Sequence, residues 1–90
     1  MNEPLVKALL ALEKRYYVTG KEKMHYLESE NYESATRTER YMAGLDSALQ
    51  VVAAYLTDEE KSAYAHKPED LLVAQAEYEK ARNDLAQGVK

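Results

Sequence analysis

The chain has 90 residues, a length that allows one domain with only a small hydrophobic core of its own. It contains no cysteine, which excludes disulfides and cysteine-based zinc sites, and its two histidines are too few to favour a histidine-only metal site. The 16 acidic and 12 basic residues give a net charge of −4, whose sign disfavours generic binding to nucleic acid or to anionic membranes.

The first predicted helix runs from about residue 3 to residue 18. Pro4 suits its first turn, and Thr19 with Gly20 is expected to end it. At about 100° per residue, one face of this helix is apolar. That face is formed by Leu5, Leu9, Leu12 and Tyr16, and it is widened by Val6, Leu10 and Tyr17.

The second predicted helix covers residues 21–56. Between Tyr41 and Leu56 its apolar residues span an arc of roughly 200°, which is wider than one neighbouring helix can bury, so it is expected to be the long central helix. One apolar row consists of Met42, Leu45, Leu49, Val52 and Leu56, and an adjacent row of Tyr41, Gly44, Ala48, Val51 and Tyr55. Met24 and Leu27 continue the first row, which favours one continuous helix. The alternative is a break near residues 29–31, where Asn31 could cap a new helix.

The last third of the chain predicts a short helix followed by a longer one. Thr57 and Glu60 have the spacing of a capping box, which predicts a helix at 58–65. Pro68 begins the final helix, 68–87, which has a thin apolar stripe and ends before Gly88. The predicted fold class is therefore all-α: a single domain over residues 1–90, built as an antiparallel bundle of three main helices (about 3–18, 21–56 and 68–87) and one short one.

A turn at Gly20 creates a packing mismatch between the first two predicted helices. It would place Leu9 near Asn31 and Leu5 near Ser34, and burying each polar side chain without a partner would cost about 1–3 kcal/mol. Either a second copy of the chain covers the first helix, or a break near Asn31 lets this helix fold onto the 41–56 segment. The small core favours the dimer. In the second row, Gly44 and Ala48 would permit a close helix crossing or make room for a tyrosine of a neighbouring helix.

No group of residues predicts a catalytic, metal or cofactor site. Glu22, His25 and Glu28 contain the Glu-x-x-His spacing found in di-iron bundles, but only one such motif is present and it faces away from the apolar stripe. Surface ion pairs are the better interpretation. Arg37 is expected to pair with a neighbouring glutamate, or with Glu13, which projects into the apolar face of the first helix.

The expected function is that of a small non-enzymatic interaction or regulatory protein. No targeting segment or membrane-length apolar run is seen, so a cytoplasmic location without membrane contact is expected. Self-association as a homodimer and binding of another protein are expected, by analogy with small bacterial or phage-encoded regulators. The interface is predicted at Leu5, Leu9, Leu12, Tyr16, Tyr17, Tyr41, Leu45, Leu49, Val52 and Tyr55.

Two alternative functions are open at the level of sequence. The first is a structural or assembly subunit whose oligomerisation is its function. The second, less favoured because of the negative net charge, is a nucleic-acid accessory protein. Its contacts would be Lys14, Arg15, Arg37 and Arg40.

Overall fold

Four α-helices and no strands make up the part of the chain that the structure, a computed structural model, describes, residues 3–88. They are α1 (Glu3–Glu28), α2 (Tyr32–Ala53), α3 (Asp58–Ala65) and α4 (Glu69–Ala86). The all-α prediction is confirmed. The short helix has the predicted bounds, and the Thr57–Glu60 capping box is formed in both directions. The last helix begins and ends within one residue of its prediction.

The predicted end of the first helix at Gly20 is wrong, because α1 continues through this residue to Glu28. Thr19 and Gly20 are both buried. A Cβ atom at Gly20 would lie 2.5 Å from Cε1 of Tyr78 and 3.0 Å from Cε of Met42. The glycine therefore allows a tyrosine of another helix to approach the α1 backbone, and it does not mark a helix end.

The predicted continuous helix over 21–56 is also wrong, and its alternative, a break at residues 29–31, is confirmed. The N–H of Asn31 donates to the carbonyl of Tyr26, and the N–H of Glu30 donates to that of Leu27. With Glu30 at a φ of 59°, these bonds form a Schellman motif that ends α1. The Asn31 side chain then accepts a hydrogen bond from the Ser34 N–H at 3.2 Å and caps α2.

The central helix of the fold is α1 rather than the predicted 21–56 segment, since α1 packs against each of the other three helices. Helix α2 returns antiparallel to α1, whereas α4 runs parallel to it. Lys14 and Lys21 show the parallel direction, because each pairs with an acid 56 residues further on. Helices α1, α2 and α4 therefore alternate in direction along the chain, which is the arrangement of an antiparallel bundle of three main helices, and the short α3 leads from α2 into α4.

Two apolar clusters hold the helices together. One contains Leu9, Leu49 and Leu56, and the other contains Met24, Met42 and Tyr78. The break at Asn31 brings Leu9 to Leu49, which removes the mismatch expected for a turn at Gly20. The molecule is elongated, with extents of 45 × 23 × 16 Å. Its radius of gyration is 14.7 Å, against about 12 Å expected for a compact domain of this length.

Candidate interaction surface

Apolar residues on one face of α2, and just after its C-terminal end, are largely uncovered by the rest of the chain within residues 3–88. Tyr41, Val51 and Tyr55 are 48%, 61% and 84% exposed. Between them lie Gly44, where an added Cβ would meet nothing within 4 Å, and the exposed Ala48. These five residues, the α2 stripe, are spaced 3, 4, 3 and 4 apart, which is the spacing of a coiled-coil seam; the first four lie on α2, and Tyr55 follows two residues after the end of this helix.

The α2 stripe is exposed because α2 has only one extensive helical neighbour. Its buried residues Met42, Leu45 and Leu49 face α1, and the stripe lies about 110° further around the helix. The wide apolar arc predicts helices on two sides. In the structure α1 takes one side, while α4 packs mainly against α1 and meets α2 only near Met42. The second side of α2 is therefore exposed to solvent. The glycine that makes room for a tyrosine of a neighbouring helix is Gly20, and not Gly44 as the sequence suggested.

Charged residues stand at both ends of the α2 stripe. Near the Tyr41 end is Arg40, and beyond Tyr55 are Asp58 and Glu59; all three are exposed, and none has an ion-pair partner within residues 3–88. The Tyr41 side chain lies beside Arg15 of α1, and its interaction with the guanidinium raises the pKa of Arg15 above its ordinary value. The stripe therefore has a basic end and an acidic end.

The ten residues predicted from sequence as an interface fall into two groups. Leu12, Tyr41 and Tyr55 are exposed, at 38%, 48% and 84%. The others face the interior of the chain: Leu9, Leu45 and Leu49 are buried, and Leu5, Tyr16, Tyr17 and Val52 are half-buried. Gly44, Ala48 and Val51 were not among the ten, although their heptad spacing with the two tyrosines was a readable signal.

The most buried ion pair among residues 3–88 lies elsewhere, where α1 meets α3 and the residues after it. The Glu13 carboxylate accepts hydrogen bonds from the Tyr64 hydroxyl at 2.5 Å and from Nζ of Lys67 at 3.0 Å. Lys67 also lies 3.4 Å from the centre of the Tyr64 ring. Burial, together with the bond to Glu13, raises the pKa of Tyr64. The expected pairing of Arg37 with a neighbouring glutamate is confirmed, since Arg37 pairs with Glu33 on its own helix at 3.5 Å. The alternative Glu13–Arg37 pair does not form, because Glu13 bonds with Tyr64 and Lys67.

A second exposed apolar surface lies between α1 and α4. It is a shallow groove of about 690 Å³, here called the α4 groove. Val18 and Val73, 38% and 49% exposed, lie on its two sides, and Leu72 beside Val73 is also 49% exposed. Charges of both signs border it, including Lys14, which pairs with Asp70 at 2.9 Å.

The remaining candidate groups stay apart. His25, Glu22 and Glu28 are exposed on α1, and within residues 3–88 no three histidine, aspartate or glutamate side chains are arranged to hold a metal ion. None of the helices in that range has an apolar stretch long enough to cross a bilayer. No protein-family model, curated protein or solved structure matches this chain.

Proposed function

We propose that the protein is a small non-enzymatic interaction protein of the cytoplasm, which forms a homodimer and regulates another protein by binding it. One observation carries the proposal: apolar residues remain uncovered on two separate surfaces of a chain whose helices already pack around two buried clusters. Contiguous exposed apolar residues on a small protein are typical of contact sites for other proteins.

The two surfaces suit different partners. The α2 stripe has the spacing of a helix–helix seam, so we assign it to self-association. The α4 groove combines Val18 and Val73 with Lys14 and Glu77, so it suits an apolar segment bordered by charges of both signs. We assign this groove to the other protein.

The placement of the basic residues weighs against nucleic acid as the partner. Lys14 lies beside α4 and pairs with Asp70, whereas Arg37 lies on α2 and pairs with Glu33. Arg15 and Arg37 line one small pocket together with Glu22, but Lys14 does not lie there. The candidate cations are therefore divided between two faces, whereas nucleic-acid binding favours several cations on one face. A structural subunit is the second candidate function, because self-association through both exposed surfaces, the α2 stripe and the α4 groove, would build an assembly larger than a dimer. Growth beyond a dimer in sedimentation experiments would favour that candidate.

Affinity capture from host cells with three forms of the protein tests the proposal. Val73→Glu places a charge in the α4 groove, and Val51→Glu makes the same change in the α2 stripe. We expect one protein to be captured in a fixed ratio by the wild type and by Val51→Glu, and to be lost with Val73→Glu. The same set of captured proteins for all three forms would contradict the assignment.

A further inference from the structure

We propose that the α2 stripe binds the α2 stripe of a second copy of this chain in an antiparallel pair, with Ala48 close to the two-fold axis. This inference rests on the self-association in the proposed function and adds its surface and its geometry. It concerns Tyr41, Gly44, Ala48, Val51 and Tyr55, together with the unpaired charges beyond both ends of the stripe.

The sizes of the stripe residues favour a helix of the same pattern as the partner. The two tyrosines stand at the ends, about 21 Å apart when the helical rise of α2 is continued over Ala54 to Tyr55. Gly44 and Ala48 lie near the middle, where nothing within the described chain occupies the space beside Gly44. Small residues at a crossing point allow two backbones to approach closely, and the large end residues then pack beside the other helix. A two-fold interface requires such a self-complementary patch.

The charges set the direction of the pair. An antiparallel arrangement brings Arg40 of each copy to the end of the other stripe, where Asp58 and Glu59 follow Tyr55. A parallel arrangement would place Arg40 against Arg40 and the acids against each other. None of these three residues has an ion-pair partner in its own chain within residues 3–88. A second antiparallel copy supplies opposite charge at both ends at once, and like charges across an interface disfavour the parallel form.

The pair is expected to be weak. A seam of five residues on one helix is short, and interfaces that bury less than about 1,200 Å² in total are typical of transient complexes. We therefore expect a monomer–dimer equilibrium in the micromolar range. The dimer should break when a charge is placed in the middle of the seam, because a buried carboxylate without a partner is strongly unfavourable.

Cysteine crosslinking tests the geometry directly, since the natural chain contains no cysteine. A short bis-maleimide reagent should join Ala48→Cys to itself. It should not join Tyr55→Cys to itself, because the two sites lie about 21 Å apart along the axis of an antiparallel pair. An equal mixture of Tyr41→Cys and Tyr55→Cys should yield the mixed crosslink. Val73→Cys, on α4, measures random collision.

Three results would overturn the inference. Self-crosslinking of Tyr55→Cys as efficient as that of Ala48→Cys means a parallel pair. Crosslinking of Ala48→Cys no better than that of Val73→Cys means that the stripe does not self-associate. In sedimentation velocity, we expect Val51→Glu to raise the dissociation constant of the dimer at least about tenfold. The third contradicting result is a dimer that Val73→Glu weakens and that Val51→Glu leaves intact.

The same variants separate this inference from the proposed function. A dimer that is sensitive to Val51→Glu, in a protein that captures nothing through its α4 groove, supports the antiparallel pair and contradicts the regulatory role. If the chain stays monomeric but captures a protein that is lost with Val73→Glu, the result supports the regulatory role and contradicts the antiparallel pair. If Val51→Glu lowers helicity in circular dichroism, the crosslinking result decides alone.

Discussion

Gly20 and Gly44 both lie inside helices, but their surroundings predict opposite effects of the same substitution. Alanine in a helix interior is favoured over glycine by about 0.5–1 kcal/mol. At Gly20 the new Cβ would lie 2.5 Å from the ring of the buried Tyr78. That ring also contacts Tyr16 and Tyr17, with centroid distances of 6.3 and 6.0 Å, so it has little room to move.

We therefore expect Gly20→Ala to lower the free energy of unfolding by about 1 kcal/mol or more, because overpacking a core costs about 1–3 kcal/mol. Gly44→Ala, the matched control, should raise it by about 0.5–1 kcal/mol. Urea unfolding followed by circular dichroism, at concentrations that keep the protein monomeric, measures both. Equal stabilisation by the two substitutions would show that Tyr78 does not pack on Gly20.

Tyr64 predicts a loss of stability at alkaline pH. Burial and the bond to Glu13 raise its pKa in the folded state, and burial also raises the pKa of Tyr16 and Tyr17. A raised pKa contributes stability that is complete below the unfolded value, about 10 for tyrosine, and is lost as the pH rises above it. The free energy of unfolding should therefore fall above about pH 10.

Tyr64→Phe isolates this contribution. It should cost about 1.5 kcal/mol at neutral pH, because hydrogen bonds to charged groups are worth more than neutral ones. The fall in stability above about pH 10 should also become shallower, since one raised pKa is removed. Tyr32→Phe, which removes a hydroxyl from a ring that is 62% exposed, is the control. Urea unfolding across the pH range is the measurement, and an unchanged pH slope in Tyr64→Phe would contradict the assignment.

At the scale of helices, the turn that ends α1 contains a residue whose backbone conformation another residue type would adopt at a lower energetic cost. Glu30 has a φ of 59°, in the left-handed region that costs a residue with a side chain roughly 1–2 kcal/mol relative to right-handed backbone. Glycine adopts this conformation without that cost, and it is the usual residue at this position of a Schellman motif. We expect Glu30→Gly to raise the free energy of unfolding by about 0.5–1 kcal/mol, measured by urea denaturation.

Glu28→Gly, within the last turn of α1, is the control for this substitution and should instead be destabilising. A destabilising Glu30→Gly would mean that the turn is held in another way.

The same turn explains which helix ends were predictable. Thr57 and Glu60 carry a local capping signal, so α3 was predicted with its observed bounds. Gly88 has a φ of 73° and lies two residues after the end of α4, so that end was predictable as well. The end of α1 carries no glycine, whereas Gly20 inside it does. From sequence alone, a glycine that makes room for a neighbouring side chain cannot be distinguished from a glycine that ends a helix. The distinction requires knowing which helix packs beside it.

A signal for the true length of α1 was nevertheless present. If the first helix is continued forward through Gly20, Met24 and Leu27 fall on the same face as Leu9 and Tyr16. If the second helix is instead continued backward from Leu45, the same two residues fall on the face of Leu45. Periodicity could not choose between the two continuations. The packing does, because only a break at Asn31 brings Leu9 to Leu49 and Met24 to Met42.

For the whole molecule, the sequence indicated how much apolar surface α2 has but not what covers it. The arc from Tyr41 to Leu56 predicted neighbours on two sides, and the small core predicted a second copy. The structure fills one side with α1, since Leu45 and Leu49 are buried against it. The row that includes Val51 is left exposed. The second side stays open because α4 packs mainly against α1, and no local residue pattern encodes where α4 packs.

Dimer formation through the α2 stripe predicts that thermal stability depends on protein concentration. Association stabilises the folded state by mass action, so the midpoint of thermal unfolding of the wild type should rise when the concentration is increased about 100-fold through the dissociation constant. Val51→Glu should show a constant midpoint, because a charge in the seam prevents association. Val73→Glu should behave like the wild type. Circular dichroism in cells of different path length covers the range. If the wild type shows a constant midpoint and a monomeric mass at the highest concentration, the chain does not dimerise through the α2 stripe, and the proposed dimer is contradicted.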